Sequence, residues 1–334
     1  MSSPRVIAVT GTSSYLGRSL AVRLVQEGHR VIAMDRQPPK YPIADAEVVE
    51  IDLQNPLMPD ILRHYGVEQL VHTDFLWERR ETRAGHERNV VGARNVISAA
   101  VAARVRQIVI PSSNIVYGAR ADNPAFLTET ARLRPGRMGS ARYLEEIEDY
   151  VQSLRDEPNA PVLTVLRFAY IVGPNVRSPL NEMLNSHAVV TLLGFDPQFQ
   201  VIHEEDAVGA LLKALGDGTP ETLFDGVVNV AADPPIPLAR LLHMAGVLPV
   251  PLIHPLAYVG AYFGPAKGLM GEDQPLDWEY LRYPVVMDTK RMETRLGFVP
   301  ERDSETILAS LTEESEDTAP SNGAPSEIRE QSNA

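Results

Sequence analysis

The chain has 334 residues, 44% of them hydrophobic, and a formal net charge of -13. This suits a globular body of one large domain or two modest ones, and its dispersed basic residues give no electrostatic footprint for nucleic acid. It contains no cysteine, which excludes disulfides, thiolate zinc sites and cysteine nucleophiles, and which fits a reducing, cytoplasmic setting.

The opening "MSSPRVIAVTG" moves straight toward a strand without the charged, apolar and cleavable regions of a secretory signal. Short apolar runs then alternate with helical patterns: "VIAVT", "LGRSLAVRLVQEG", "RVIAMD", "EVVEID", "QLVH", the long "HERNVVGARNVISAAVAA" and "QIVIP". In the first helix Leu16, Leu20 and Leu24 share a face, and Gly28 stands where a stop belongs. The alternation predicts an α/β fold, a Rossmann-type doubly wound parallel sheet.

A helix opening near Ser140 in "RMGSARYLEEIEDYVQSL" and a buried strand "VLTVLRFAY" continue that sheet. From Pro174 prolines thicken and elements shorten, which divides the chain into a dinucleotide-binding domain, 1-173, and a smaller C-terminal substrate lobe, 174-311, with some segments returning to the sheet. In that lobe "GVLPVPLIHPLAYVGAYFGPAKGLM" carries Pro249, Pro251, Pro255 and Pro265, which would break a spanning helix. A pocket wall or interface is expected there, with a shallow membrane contact as the alternative. Residues 312-334, rich in Glu, Ser, Pro and Asn, are expected to form a disordered acidic tail.

"VTGTSSYLG" follows the first strand and enters the first helix, with Gly11, Ser14 and Gly17 at the spacing of a dinucleotide turn. Such a turn must bend tightly and bring free helix N-H groups against a pyrophosphate. Gly11 and Gly17 suit it; Ser14 fills the space of a middle glycine unless its hydroxyl becomes a phosphate donor. Asp35 closes the second strand 24 residues beyond Gly11. A carboxylate there accepts the ribose hydroxyls and repels a 2'-phosphate, so NAD is favoured over NADP. Arg36 is the counterweight, a guanidinium able to hold that phosphate or to stack on the adenine.

With "TGTSSYLG", "EIDLQNP", "NVVGARNV", "SSNIVYG", "LRFAYIVGP", "VIHEEDA" and "DTKRMETRLGFVP" in this order, the chain resembles the extended short-chain dehydrogenase/reductases of the NAD-dependent epimerase/dehydratase group, UDP-glucose 4-epimerase among them. The resemblance runs from about Arg5 to Leu311. It implies that Ser13, Tyr15 and Leu16 join the turn at the cofactor and that Asp52 and Leu53 sit at the adenine. It also implies that Thr73, Asp74 and Phe75 line the cofactor after the fourth strand, and that Asn89 steadies the long helix near the nicotinamide ribose. Asp74 departs from the family, which usually has a small residue there. A homodimer through the helices containing Val96 and Ile147 is also implied.

The family's chemistry uses a tyrosine that shuttles the substrate proton, a lysine four residues later and a serine that bonds the reacting oxygen. Ser113, four before Tyr117, fills the serine's place. Matching through Ser140 puts Arg137 in the tyrosine slot and Ala141 in the lysine slot. The only lysines are Lys40, Lys213, Lys267 and Lys290, none with a tyrosine four before it. Arg137 cannot serve as an acid or base, because a guanidinium stays protonated. Tyr170 and Phe199 stand where nucleotide-sugar enzymes often have Asn and Arg, which weakens a UDP-sugar assignment. "HEEDA" begins a helix, where acids favour the dipole, so no metal site is expected. Two readings follow: an enzyme acting on a small-molecule substrate of unknown class through Ser113 and a replacement acid-base, or a binding protein that senses NAD or a metabolite without turnover.

Overall fold

Alternating apolar runs become strands stacked side by side in the computed structural model, which describes residues 4-253 and 276-317. The first strands are β1 (Val6–Thr10), β2 (Arg30–Asp35), β3 (Glu47–Glu50) and β4 (Gln69–His72). They are followed by β5 (Gln107–Ser113), β6 (Val162–Phe168), β7 (Tyr170–Val172), β8 (Ala188–Leu192), β9 (Gln198–Phe199), β10 (Val201–His203) and β11 (Gly226–Val230). Strands β11, β6, β5, β4, β1, β2 and β3 form, in that order, a seven-stranded sheet whose pairings are all parallel. The order reverses between β1 and β4, and in open α/β sheets ligands bind at the strand ends beside such a switch point. The second half returns to the sheet through β11.

Residues alternate across the sheet as period-two side chains must. Ile7, Val9, Val31 and Ala33 pack on α1 (Tyr15–Gln26), through Leu20 and Leu24, and on the later helix Glu204–Leu215. Ala8, Ile32 and Met34 face the other side, against α2 (Met58–Tyr65), α3 (Gly92–Ala102) and α4 (Gly139–Leu154). A third cluster joins Ile115, Met138, Tyr170, Leu180, Leu241 and Tyr280 under the smaller lobe. There β7 pairs with β10, β9 with the short strand Ile236–Pro237 and β8 with Leu248–Leu252.

The closing helix Ser304–Asp317, anchored by buried Ile307 and Leu308, runs past residue 311, where the tail was expected to begin; residues 318-334 lie outside the described residues. Val96 and Ile147 are core residues, fully or almost fully buried, so their faces of α3 and α4 are consumed by the sheet. Outward on the same helices stand Arg94, Ser98 and Tyr150, with the Ser98 and Tyr150 hydroxyls bonded at 2.6 Å. Part of the proline-rich apolar stretch, residues 254-270, also lies outside the described residues. Among the described residues no helix is long and apolar enough to cross a membrane.

Candidate functional site

The crest of the sheet at the switch point is made of the β1-α1 turn, the end of β2 and the loop after β4. Gly11 has φ +77°, and a Cβ there would lie 2.4 Å from the backbone nitrogen of Asp74, so only glycine lets the two loops meet. Gly17 is packed as closely: a Cβ would stand 2.4 Å from the Thr73 hydroxyl oxygen. Thr73 is fixed in turn, its hydroxyl donating to the Thr10 carbonyl at 2.5 Å.

Ser14 is the N-cap of α1: its oxygen accepts from the Gly17 amide at 3.2 Å while its hydroxyl donates to the Gly11 carbonyl at 2.7 Å. Its proton is therefore committed to the turn, and Ser14 acts as a cap where sequence reasoning offered a phosphate donor. The first backbone bond of α1 runs from Arg18 to Ser14. The amides of Tyr15 and Leu16 come before it, and a helix leaves such first-turn groups open to an anion.

Asp35 is buried and accepts from the Ser13 amide at 2.8 Å and the Gln37 amide at 3.3 Å, which ties the end of β2 to the turn. Next to it Arg36 reaches across the crest to Asp74, 3.7 Å away. Arg88 comes from the other side, 3.5 Å from the second Asp74 oxygen. Arg88 lies on a π-helical turn, Glu87–Val91, just ahead of α3. On that turn buried Asn89 accepts from the Leu76 amide at 2.8 Å and donates to the Leu76 carbonyl at 2.9 Å. Asn89 thus clamps the loop after β4 as well as belonging to the helix. Phe75 packs half-buried between two of the apolar clusters.

His72 lies beneath Asp74, bonded through Nδ1 to the Thr10 hydroxyl at 2.7 Å. Burial pushes its pKa down to about 4 against the opposing pull of Asp74, so it is neutral at pH 7. Asp52 is exposed and closes a turn by accepting from the Gln54 amide at 2.8 Å. Leu53, placed at the adenine by resemblance, is a core side chain packed with α2 and α3, because the turn at Asp52 points it inward.

Ser113 ends β5, half-buried, with its hydroxyl on the Asn114 side-chain oxygen at 3.2 Å. A cavity of about 550 Å³ opens between Gly118 and the segment Asp277, Trp278, Tyr280 and Tyr283, with Arg137 on its wall; Ser113 is not among its lining residues. Arg137 precedes the N-cap Met138 and is exposed, so it is not one helix turn from Ala141 on a common face; Ala141 is fully buried inside α4. Tyr143 is no substitute, since it is buried and its hydroxyl is locked to the Thr82 backbone by bonds of 2.7 and 2.9 Å.

Burial raises the Asp277 carboxyl above its ordinary pKa, while the Arg79 and Arg137 guanidiniums pull it back down. Tyr280 donates to the Ile115 carbonyl at 2.9 Å, which sets this wall two residues from Ser113. Sequence reasoning missed Asp277 and Tyr280: no spacing links "DWEYLRY" to the cofactor strands, and only its aromatic density marks it. Buried Tyr170 leans on Phe199 with ring centroids 5.5 Å apart, and its hydroxyl has no partner among the described residues. "HEEDA" is structural: His203 caps a helix, Glu204 binds Asn175 and Asp206 accepts from the Glu301 amide. No metal-binding group of acids and histidines occurs among the described residues.

The sequence model of the NAD dependent epimerase/dehydratase family matches residues 7-231. An uncharacterized protein of Mycobacterium tuberculosis is 33% identical over 320 residues, covering 89% of this chain and 80% of its own. The ceramide reductase of Caulobacter vibrioides is 29% identical over 212 residues, 62% of this chain and 60% of the relative. Among solved structures, MoeE5 in complex with UDP-glucuronic acid and NAD superposes with a TM-score of 0.72 at 19% identity, covering 94% of this chain and all of MoeE5.

Proposed function

Because the chain belongs to the NAD-dependent epimerase/dehydratase family, we propose that it holds NAD at the switch point between β1 and β4 and interconverts a hydroxyl and a carbonyl group on a small substrate, with Asp277 carrying the proton. The crest suits the dinucleotide: the turn offers the open amides of Tyr15 and Leu16, Asp35 stands at the end of β2, and the buried Thr12 hydroxyl has no partner among the described residues. NAD, when bound, supplies the hydride acceptor or donor.

The observation that carries this reading is the shared cavity of Arg137 and Asp277, whose wall residue Tyr280 is bonded to Ile115, in the turn that follows Ser113. In the oxidative direction the Ser113 hydroxyl would hold the substrate oxygen and the Asp277 carboxylate would take the hydroxyl proton as C=O forms. Arg137 stabilises negative charge on that oxygen, a role open to a permanent cation where a tyrosine is absent. Burial raises this carboxyl above the ordinary aspartate range, the direction that suits a proton carrier.

The substrate class stays broad: one relative is named a ceramide reductase, and the MoeE5 structure holds UDP-glucuronic acid. The homodimer belongs to the same reading, formed by the outward faces of α3 and α4 around Arg94, Ser98 and Tyr150; a monomeric mass in solution removes it. Nicotinamide absorbance, followed across panels of polar and lipid-like alcohols and ketones, tests the chemistry. Asp277→Asn is expected to lower kcat by ~100-fold or more with little change in NAD affinity. Tight NAD binding without turnover on any panel would leave the sensor reading in its place.

A further inference from the structure

Asp74 has no part in the chemistry above, yet it stands on the crest between two cations. Its side chain is only 10% exposed and faces two guanidiniums, Arg36 at 3.7 Å and Arg88 at 3.5 Å. The Nε atoms of both arginines are buried and lack a hydrogen-bond partner among the described residues. Buried donors are normally paired, so these two cations are only partly satisfied by one shared carboxylate at long range. The remaining titratable neighbour is His72, kept neutral by burial.

Position explains what the pairing does. Arg36 directly follows Asp35, whose carboxylate is held by the Ser13 amide of the glycine turn. That is where the adenosine ribose of a bound dinucleotide is read, by an acid for a free 2'-hydroxyl or by a nearby arginine for a 2'-phosphate. Both kinds of side chain are present here, and the arginine is turned aside toward Asp74.

We infer that Asp74 sets the choice of dinucleotide, by drawing Arg36 across the crest and so denying a 2'-phosphate its cation. This rests on the placement of NAD proposed above. Arg88 shares the carboxylate from the π-helical turn and fixes its orientation. Loss of the Asp74 charge frees Arg36 for the phosphate, while the contacts to a 2'-hydroxyl through Asp35 remain.

The test is calorimetric titration of the full chain with NAD and with NADP, without any substrate. Wild type is expected to prefer NAD by ~10-fold or more. Asp74→Ala should raise the ratio of NADP to NAD affinity by ~10-fold, the scale of one regained charge-assisted contact. Adding Arg36→Ala should return NADP binding to the wild-type level. Asp74→Asn, closer in shape, serves if the alanine variant unfolds. An unchanged NADP to NAD ratio in a folded variant that still binds NAD overturns the role of Asp74 alone. Wild type binding neither dinucleotide overturns the cofactor placement along with it.

Discussion

Two charged assemblies sit in opposite halves of the sheet, and they are built on opposite principles. Around β5 and β6, Arg167 gives every guanidinium nitrogen a partner: Nε and one Nη on Glu148, the other Nη on the Tyr117 hydroxyl at 2.8 Å and the Glu129 carbonyl at 3.1 Å. Glu148 also accepts from Ser112, and Tyr117 donates to Asn229 at 2.7 Å. Burial pushes the Tyr117 phenol up to about 12, so it remains a neutral donor. Around β1, β2 and β4 two guanidiniums share one carboxylate, and both Nε atoms are left over. A closed network holds a scaffold; an open one has bonding capacity left for a ligand.

The strongest way to break this contrast is to cut the closed network. Glu148→Ala leaves Arg167 charged and buried, and is expected to cost about 3-5 kcal/mol in denaturant unfolding. A loss below about 1 kcal/mol would mean the network is no scaffold. Next, Gly11→Ala forces a Cβ against the Asp74 backbone at a positive φ. It should destabilise by about 1-3 kcal/mol and weaken NAD binding together, whereas Glu148→Ala should spare binding wherever the protein stays folded.

The third comparison uses pH. His72 titrates near 4 when folded and near 6.5 when unfolded. Between these values the unfolded chain holds a proton that the folded chain refuses, so stability falls as pH drops through that window, by at most about 1.4 kcal/mol per pH unit. His72→Gln should flatten that limb of the pH-stability curve; an unchanged slope would place the acid sensitivity elsewhere. The smallest effect is expected at Ser113→Ala, within about 1 kcal/mol in stability because the hydroxyl is half-exposed, with turnover falling far more than NAD affinity.

Local signals fared unequally across the molecule. The glycine turn, the strand ends and the helices were legible because each is written in adjacent residues by periodicity and chain reversal. Ser14 was legible as a member of the turn, but its hydroxyl belongs to the helix cap, a matter of hydrogen-bond geometry. The helices containing Val96 and Ile147 were legible by their period, whereas only the packing on the sheet shows which of their faces are buried.

By itself the sequence determined the Rossmann-type order, the site of the turn, the acid at the end of β2 and the absence of a tyrosine-lysine pair. These are properties of neighbouring residues or of composition. Only the tertiary structure decided that Arg137 shares a cavity with Asp277, 140 positions further along the chain, and that Asp74 stands between Arg36 and Arg88. Their meeting depends on how the smaller lobe and the loop after β4 fold back on the sheet. Such long-range contacts leave no period in the sequence, because each partner is placed by a different element.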